Sequence, residues 1–336
     1  MKKILVTGAS GQIGSELVPA LRERYGDENV VAGMHRQPLT PDVRDGGPWT
    51  PADVTDRGQL DDAMARFGID TVFHLASVLS ATAEQHRQTA YAVNFNGLFN
   101  VLESAVAHGA PRVVSPSSIA AFGPETPPVT PNDTIQRPNT GYGISKVFGE
   151  LMGNYYHSAV GLDVRGVRLP GIVSWKVEPT SGTTDYAVAI FYGALKEGRY
   201  TCYLRPDSML PMMYMPDAVR SLIGVAEADG SKLSHRADFN VAAVSFTPEQ
   251  LGRAIKRRLP DFEMSYEIDP LRQAIADSWP DELIDDVARE EWGWRPEYGL
   301  DEMVDDMFEN LGRKLGRGLG DEVPIMGQIT PETGRV

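Results

Sequence analysis

Cysteine is nearly absent. Cys202 is the one thiol in 336 residues, so no intrachain disulfide can form and a reducing, cytoplasmic setting fits. Nothing around Cys202 marks a catalytic thiol, and it reads as buried filler. Long apolar runs are also missing. No stretch approaches the ~18 consecutive apolar residues of a membrane-spanning helix. The start Met1-Lys2-Lys3-Ile4-Leu5-Val6 is basic and then apolar, but too short for a signal peptide, and it ends in glycines. Positive charge is scarce: 32 Lys and Arg stand against 46 Asp and Glu, a net charge of −14. That argues against nucleic acid or an anionic membrane as partner. The six histidines (35, 74, 86, 108, 157, 235) show no metal-ligand spacing, so no metal is expected. No Gly-x-Ser-x-Gly elbow occurs, and no repeat period is evident.

What is present reads as strands alternating with helices. Lys2 to Val6 has the β-branched apolar content of a buried parallel strand. Gly8-Ala9-Ser10-Gly11-Gln12-Ile13-Gly14 follows, then a helical pattern through Arg24. In a dinucleotide fingerprint the three glycines serve the tight turn, the approach of a pyrophosphate and close helix packing. The phosphates would meet free N–H groups at the helix start. Asn29 to Met34 is the second strand. Its end should read the adenosine ribose, with an acid for a 2′-hydroxyl or a basic residue for a 2′-phosphate. The residues there are Gly33-Met34-His35-Arg36, with no acid. Arg36 either pairs with a phosphate or stacks flat on the adenine. Residues 37 to 51 read as loop. Asp53 is placed to accept from the adenine amino group, and Asp56 to cap a helix over 57–67.

Thr71 to Ala76 is another buried strand, with His74 read as structural. Ser77 to Thr82 forms a polar loop at its carboxyl end, the edge where open parallel sheets bind ligands. A long helix is expected from Glu84 to His108; Asn94 needs partners if buried there. Pro111 to Ser115 is the next strand and runs into Pro116-Ser117-Ser118-Ile119. Each serine is either a group facing the cleft or a turn residue satisfying local backbone. Tyr142-Gly143-Ile144-Ser145-Lys146 then opens a helix reaching about Val160. Four residues apart, Tyr142 and Lys146 share one helix face. A cation beside a phenol favours phenolate, which can take a proton from an alcohol. Asp163 to Arg168 is the sixth strand. The pattern predicts an α/β fold, a Rossmann-type doubly wound parallel sheet over residues 1–170. A smaller substrate-binding region follows over 171–312, with some segments returning to the sheet. Residues 313–336 read as a loose tail.

These features, in this order, resemble the extended short-chain dehydrogenase/reductase family, whose members include nucleotide-sugar epimerases and dehydratases. The runs Gly182 to Ala187 and Leu210 to Met215 narrow the resemblance to its L-threonine 3-dehydrogenase branch. Met34 departs from that branch, which usually has Asp there. The resemblance implies oxidation of the Cβ hydroxyl of L-threonine to 2-amino-3-oxobutanoate, with hydride transfer to NAD; NADP stays open because of Met34. It implies catalytic roles for Tyr142, Lys146 and Ser118. It implies cofactor contacts from Gly8, Gly11, Gln12, Ile13, Gly14, Arg36, Asp53, Val54, Leu75, Ala76, Tyr142, Lys146 and Ile172. Ser80, Ser118, Tyr142, Thr183, Thr184 and Asp185 would hold the substrate. Asp185 serves either the ammonium or a helix cap, and Trp279 either a lid or the core. A homodimer built on the helices 84–108 and 142–160 is implied as well. The alternative within the family is a nucleotide-sugar epimerase or dehydratase.

Overall fold

The computed structural model describes residues 1–180 and 182–317. Its centre is a six-stranded sheet in which every neighbouring pair is parallel. The strands are β1 (Ile4–Thr7), β2 (Val30–Met34), β3 (Trp49–Pro51), β4 (Thr71–His74), β5 (Arg112–Val114) and Asp163–Arg165, in the order β3-β2-β1-β4-β5 and then Asp163–Arg165. The order reverses at β1 and β4. A crevice opens at that switch point, outside the carboxyl ends of the strands.

The period-2 alternation of β1 divides the core between the two faces of the sheet. Ile4 and Val6 pack with Leu17, Val18 and Leu21 of the helix Gly14–Tyr25 and with Leu222 and Val225 of the helix Met215–Glu227. Leu5 points the other way, into Leu60, Met64, Leu98 and Leu102 of the helices Arg57–Phe67 and Leu98–Ala107. The remaining chain carries a separate cluster. Tyr186, Phe191, Leu251, Ile255, Met307 and Phe308 bury it between the helices Tyr186–Glu197, Pro248–Arg258 and Leu300–Leu315. Cys202 lies inside this cluster, and burial pushes its thiol up to about 11, a filler role without reactivity.

Four expectations need correction. Residues 37–51 are not all loop: a helix spans Pro41–Asp45, and Trp49–Pro51 pairs with β2 as an edge strand, where a proline is tolerated. The single helix expected over 84–108 is several segments. Helices Ser80–Gln85 and Arg87–Ala90 meet at His86, and a π-helical stretch Tyr91–Gly97 leads into Leu98–Ala107. The strand 163–168 divides at Gly166, where a Cβ would stand 2.9 Å from the Ala237 carbonyl oxygen. Beyond it, Val167–Leu169 leaves the main sheet and pairs with Ser117–Ser118 and Phe239–Asn240. Finally, the last helix runs to Leu315, so the stretch expected to be tail from 313 begins as helix; residues 318–336 lie outside the described residues.

Candidate active site

The glycine loop links β1 to the helix Gly14–Tyr25. Gly8 has φ +71°, a conformation suited to glycine, and a Cβ on it would stand 2.7 Å from the Ala76 backbone nitrogen. A Cβ on Gly14 would come 2.7 Å from Ala9 Cα. The helix start therefore packs against the strand with nothing between. Ile13, at the N-cap, has no side-chain acceptor to offer the helix start, and neither Gln12 nor Ile13 donates its backbone N–H within the described chain. Bare backbone, free donors and a helix start together suit a pyrophosphate.

Two connected hollows meet over this loop, sharing Gly8, Gly11, Leu75, Ser77, Leu79 and Gly182. Toward β2, the first is lined by Arg36, Asp53, Val54, Leu75 and Ala76. Asp53 Oδ1 accepts from the backbone N–H and hydroxyl of Thr55, both at 2.9 Å. Asp56 caps the helix Arg57–Phe67 by accepting from Gly58 N–H at 3.0 Å.

The second hollow is lined by Gln12, Ile13, Gly14, Ile172, Ser80, Ser118, Tyr142, Lys146, Thr183, Thr184 and Asp185. The topology that gathers them is simple. Ser118 closes the strand Ser117–Ser118, just past β5. Tyr142 and Lys146 lie on the first turns of the helix Gly141–Tyr155, which Thr140 caps through Gly143 N–H at 3.1 Å. The Lys146 ammonium stands 5.2 Å from the centroid of the Tyr142 ring and donates to the Pro116 carbonyl at 3.0 Å. The catalytic and substrate residues read from the sequence therefore face one cleft, and the cofactor residues line its continuous floor.

Individual roles sharpen here. Asp185 does not cap the helix Tyr186–Glu197; its Oδ2 accepts from the N–H and the hydroxyl of Thr180, at 2.5 and 2.6 Å. Thr183 is 1% exposed and its hydroxyl has no partner, yet it lines the cleft. A buried unpaired hydroxyl is costly, and a ligand group would satisfy it. Trp279 is both wall and core, lining the cleft while packing on the second cluster. His74 accepts or donates at Thr7 Oγ1, 2.9 Å away, deep in the sheet. Burial, with the Lys146 charge added, pushes it down to about 3, so it is neutral. Among the described residues, no group of three or more His, Cys, Asp or Glu could hold a metal ion.

Sequence reading missed several neighbours. Leu79 lines both hollows although 47% exposed; an apolar residue inside a polar loop was the available signal. Glu84 accepts from Gly141 N–H at 2.7 Å and so anchors the start of the Tyr142 helix. No local pattern announces a contact across 57 residues. Asn94, by contrast, was marked in the sequence as needing partners if buried; it is buried, accepts from Val78 N–H at 2.8 Å and donates to its carbonyl at 2.9 Å.

The model of the NAD dependent epimerase/dehydratase family matches residues 4–242. The chain belongs to that family. An uncharacterized epimerase/dehydratase of Staphylococcus saprophyticus is 46% identical over 90% of this chain and 95% of its own. The holo form of a GalE-like L-threonine dehydrogenase from Cupriavidus necator superposes with a TM-score of 0.88 at 50% identity, covering 92% of this chain and 99% of that one. A monomeric L-threonine 3-dehydrogenase from a metagenome, in its apo form, gives 0.88 at 40% identity, over 93% and 99% of the two chains. This chain is thus a nicotinamide-dependent enzyme of the epimerase/dehydratase family, with the Rossmann-type fold of extended short-chain dehydrogenases. No helix among its described residues is long and apolar enough to cross a membrane.

Proposed function

We propose that this chain is an L-threonine 3-dehydrogenase, oxidising the Cβ hydroxyl of L-threonine to 2-amino-3-oxobutanoate. The observation that carries this reading is the meeting of Tyr142, Lys146 and Ser118 with the Thr183–Thr184 turn in one cleft over the glycine loop. A nicotinamide bound there would accept the hydride that leaves Cβ with its electron pair. Tyr142 takes the hydroxyl proton as the carbonyl forms. Lys146 sets its positive charge against the Tyr142 ring, and Ser118 donates to the substrate oxygen. Positioning and fixed charge carry most of the acceleration. Ser80, Thr183 and Thr184 supply hydroxyls for the substrate carboxylate, and Asp185 faces the ammonium. The solved neighbours described as L-threonine dehydrogenases support this assignment.

The family also holds epimerases and dehydratases, and a nucleotide-sugar diphosphate would need cations. Among the described residues lining the substrate hollow, Lys146 is the one basic side chain. That favours the small amino acid. The test is the appearance of reduced nicotinamide with L-threonine, beside UDP-galactose with a sugar readout. Threonine-dependent reduction is expected; sugar conversion without it would overturn the reading. Tyr142→Phe should remove turnover while leaving cofactor binding largely intact, and near-full turnover in that variant would sink the mechanism. The chain acts as a homodimer in the cytoplasm on this reading, with a second copy covering the helices of residues 91–107 and 141–160.

A further inference from the structure

The adenosine end of the cleft departs from an NAD site. In such a site an acid at the end of the second strand accepts from the ribose 2′-hydroxyl and repels a 2′-phosphate. Here β2 ends at Met34. A thioether is a weak acceptor and carries no charge, so it offers neither the attraction nor the repulsion. The next residues, His35, Arg36 and Gln37, line the hollow together with Ser10 of the glycine loop. All four carry donors.

The charges are arranged in a chain. Arg36 Nε donates to His35 Nε2 at 3.0 Å, which leaves His35 Nδ1 protonated toward Asp53 Oδ2, 3.4 Å away. Asp53 is the one carboxylate lining this hollow among the described residues. One of its oxygens is engaged by Thr55 and the other faces His35. Arg36 makes no ion pair within the described chain, so its terminal N–H groups stay free. A guanidinium fork suits phosphate oxygens better than a ribose hydroxyl.

We propose that this end of the cleft accepts a 2′-phosphate, so that the chain binds NADP at least as tightly as NAD, with Arg36 as the phosphate reader. The proposal rests on reading the cleft as the dinucleotide site. Isothermal titration of the full chain with NAD, NADP, 5′-ADP and 2′,5′-ADP tests it without any substrate. NADP should show a dissociation constant equal to or below that of NAD, and 2′,5′-ADP should bind more tightly than 5′-ADP. Arg36→Ala should weaken NADP about tenfold, the range of one charge-assisted hydrogen bond, and weaken NAD much less. Met34→Asp should shift preference back toward NAD. Tighter binding of NAD by the unaltered chain would overturn the proposal and leave the cleft reading intact. Equal loss of both dinucleotides in Arg36→Ala would also overturn it, because Arg36 would then be stacking on the adenine. Failure of all four ligands to bind would overturn the cleft reading as well.

Discussion

Gly14 shows how one missing methyl group sets the geometry of the cleft. Its would-be Cβ meets backbone of Gly8 and Ala9, and backbone cannot rotate aside. Gly14→Ala should therefore push the helix Gly14–Tyr25 off β1. We expect a loss of about 1–3 kcal/mol, the usual cost of overpacking, in urea denaturation, together with weaker dinucleotide binding. An unchanged denaturation midpoint would show that the loop absorbs the group. His74 makes a second residue-scale prediction, through pH. It is held near 3 when folded and titrates near its ordinary 6.5 when unfolded. Between those values the unfolded state binds the extra proton. The stability His74 leaves in place above pH ~6.5 is thus lost as pH falls toward ~3. At pH ~5 the loss is about 2 kcal/mol. His74→Asn should be less acid-sensitive over that interval. Parallel slopes for the two proteins, in stability measured from neutral pH down to pH ~5, would refute the account. Of these two residues, Gly14 was legible from its place between a strand and a helix. The burial of the His74 strand was legible in its apolar neighbours as well, but the partner of the ring, Thr7, lies 67 residues away and was not.

Elements show the same division. The first strand, the glycine turn and its helix are encoded by contiguous residues, and they form where the pattern placed them. Segments controlled by distant contacts were harder to read. The π-helical stretch Tyr91–Gly97 contains Asn94, whose amide pairs with both backbone groups of Val78, and nothing near Asn94 in the sequence indicates that partner. The division of 163–168 at Gly166 depends on Ala237, far along the chain. Arg168 and Glu150 form another such link. They are 4% and 3% exposed, and join the strand Val167–Leu169 to the helix that carries Tyr142 through two bonds, at 2.9 and 2.8 Å. Ser117, beside Ser118, donates to the same carboxylate. Removing one member leaves a buried charge unpaired. Glu150→Ala should cost about 3–5 kcal/mol in chemical denaturation. The double replacement Glu150→Leu with Arg168→Met should recover much of it. If Glu150→Ala cost less than about 1 kcal/mol, the pair would be no more than a surface bridge.

At the scale of the whole molecule, the remaining feature is an apolar face that the described residues do not cover. Ile144, Leu151 and Tyr155 are 50%, 63% and 56% exposed, at spacings that keep them on one side of the helix Gly141–Tyr155. Tyr91 and Phe99 extend the face across the neighbouring helix. Phe95 bridges the two, stacked on Tyr91 at 5.1 Å and tilted on Phe148 at 5.0 Å. The sequence marks these positions as apolar but cannot distinguish a core from an outer face, because both use the same helical period. A contiguous exposed patch of this kind is characteristic of an association surface, and a second copy is the occupant proposed above. A two-fold contact would bring each Leu151 close to the partner's helix, where a charge would be buried without a counterion. Leu151→Glu should therefore convert a dimer to a monomer in analytical ultracentrifugation, with the nicotinamide cleft still able to bind because the substitution lies outside its lining. One neighbour at 40% identity is described as monomeric, so the experiment can fail. An unaltered chain that sediments as a monomer across its soluble concentration range would remove the dimer from the proposal while leaving the chemistry of Tyr142, Lys146 and Ser118 to be judged on its own.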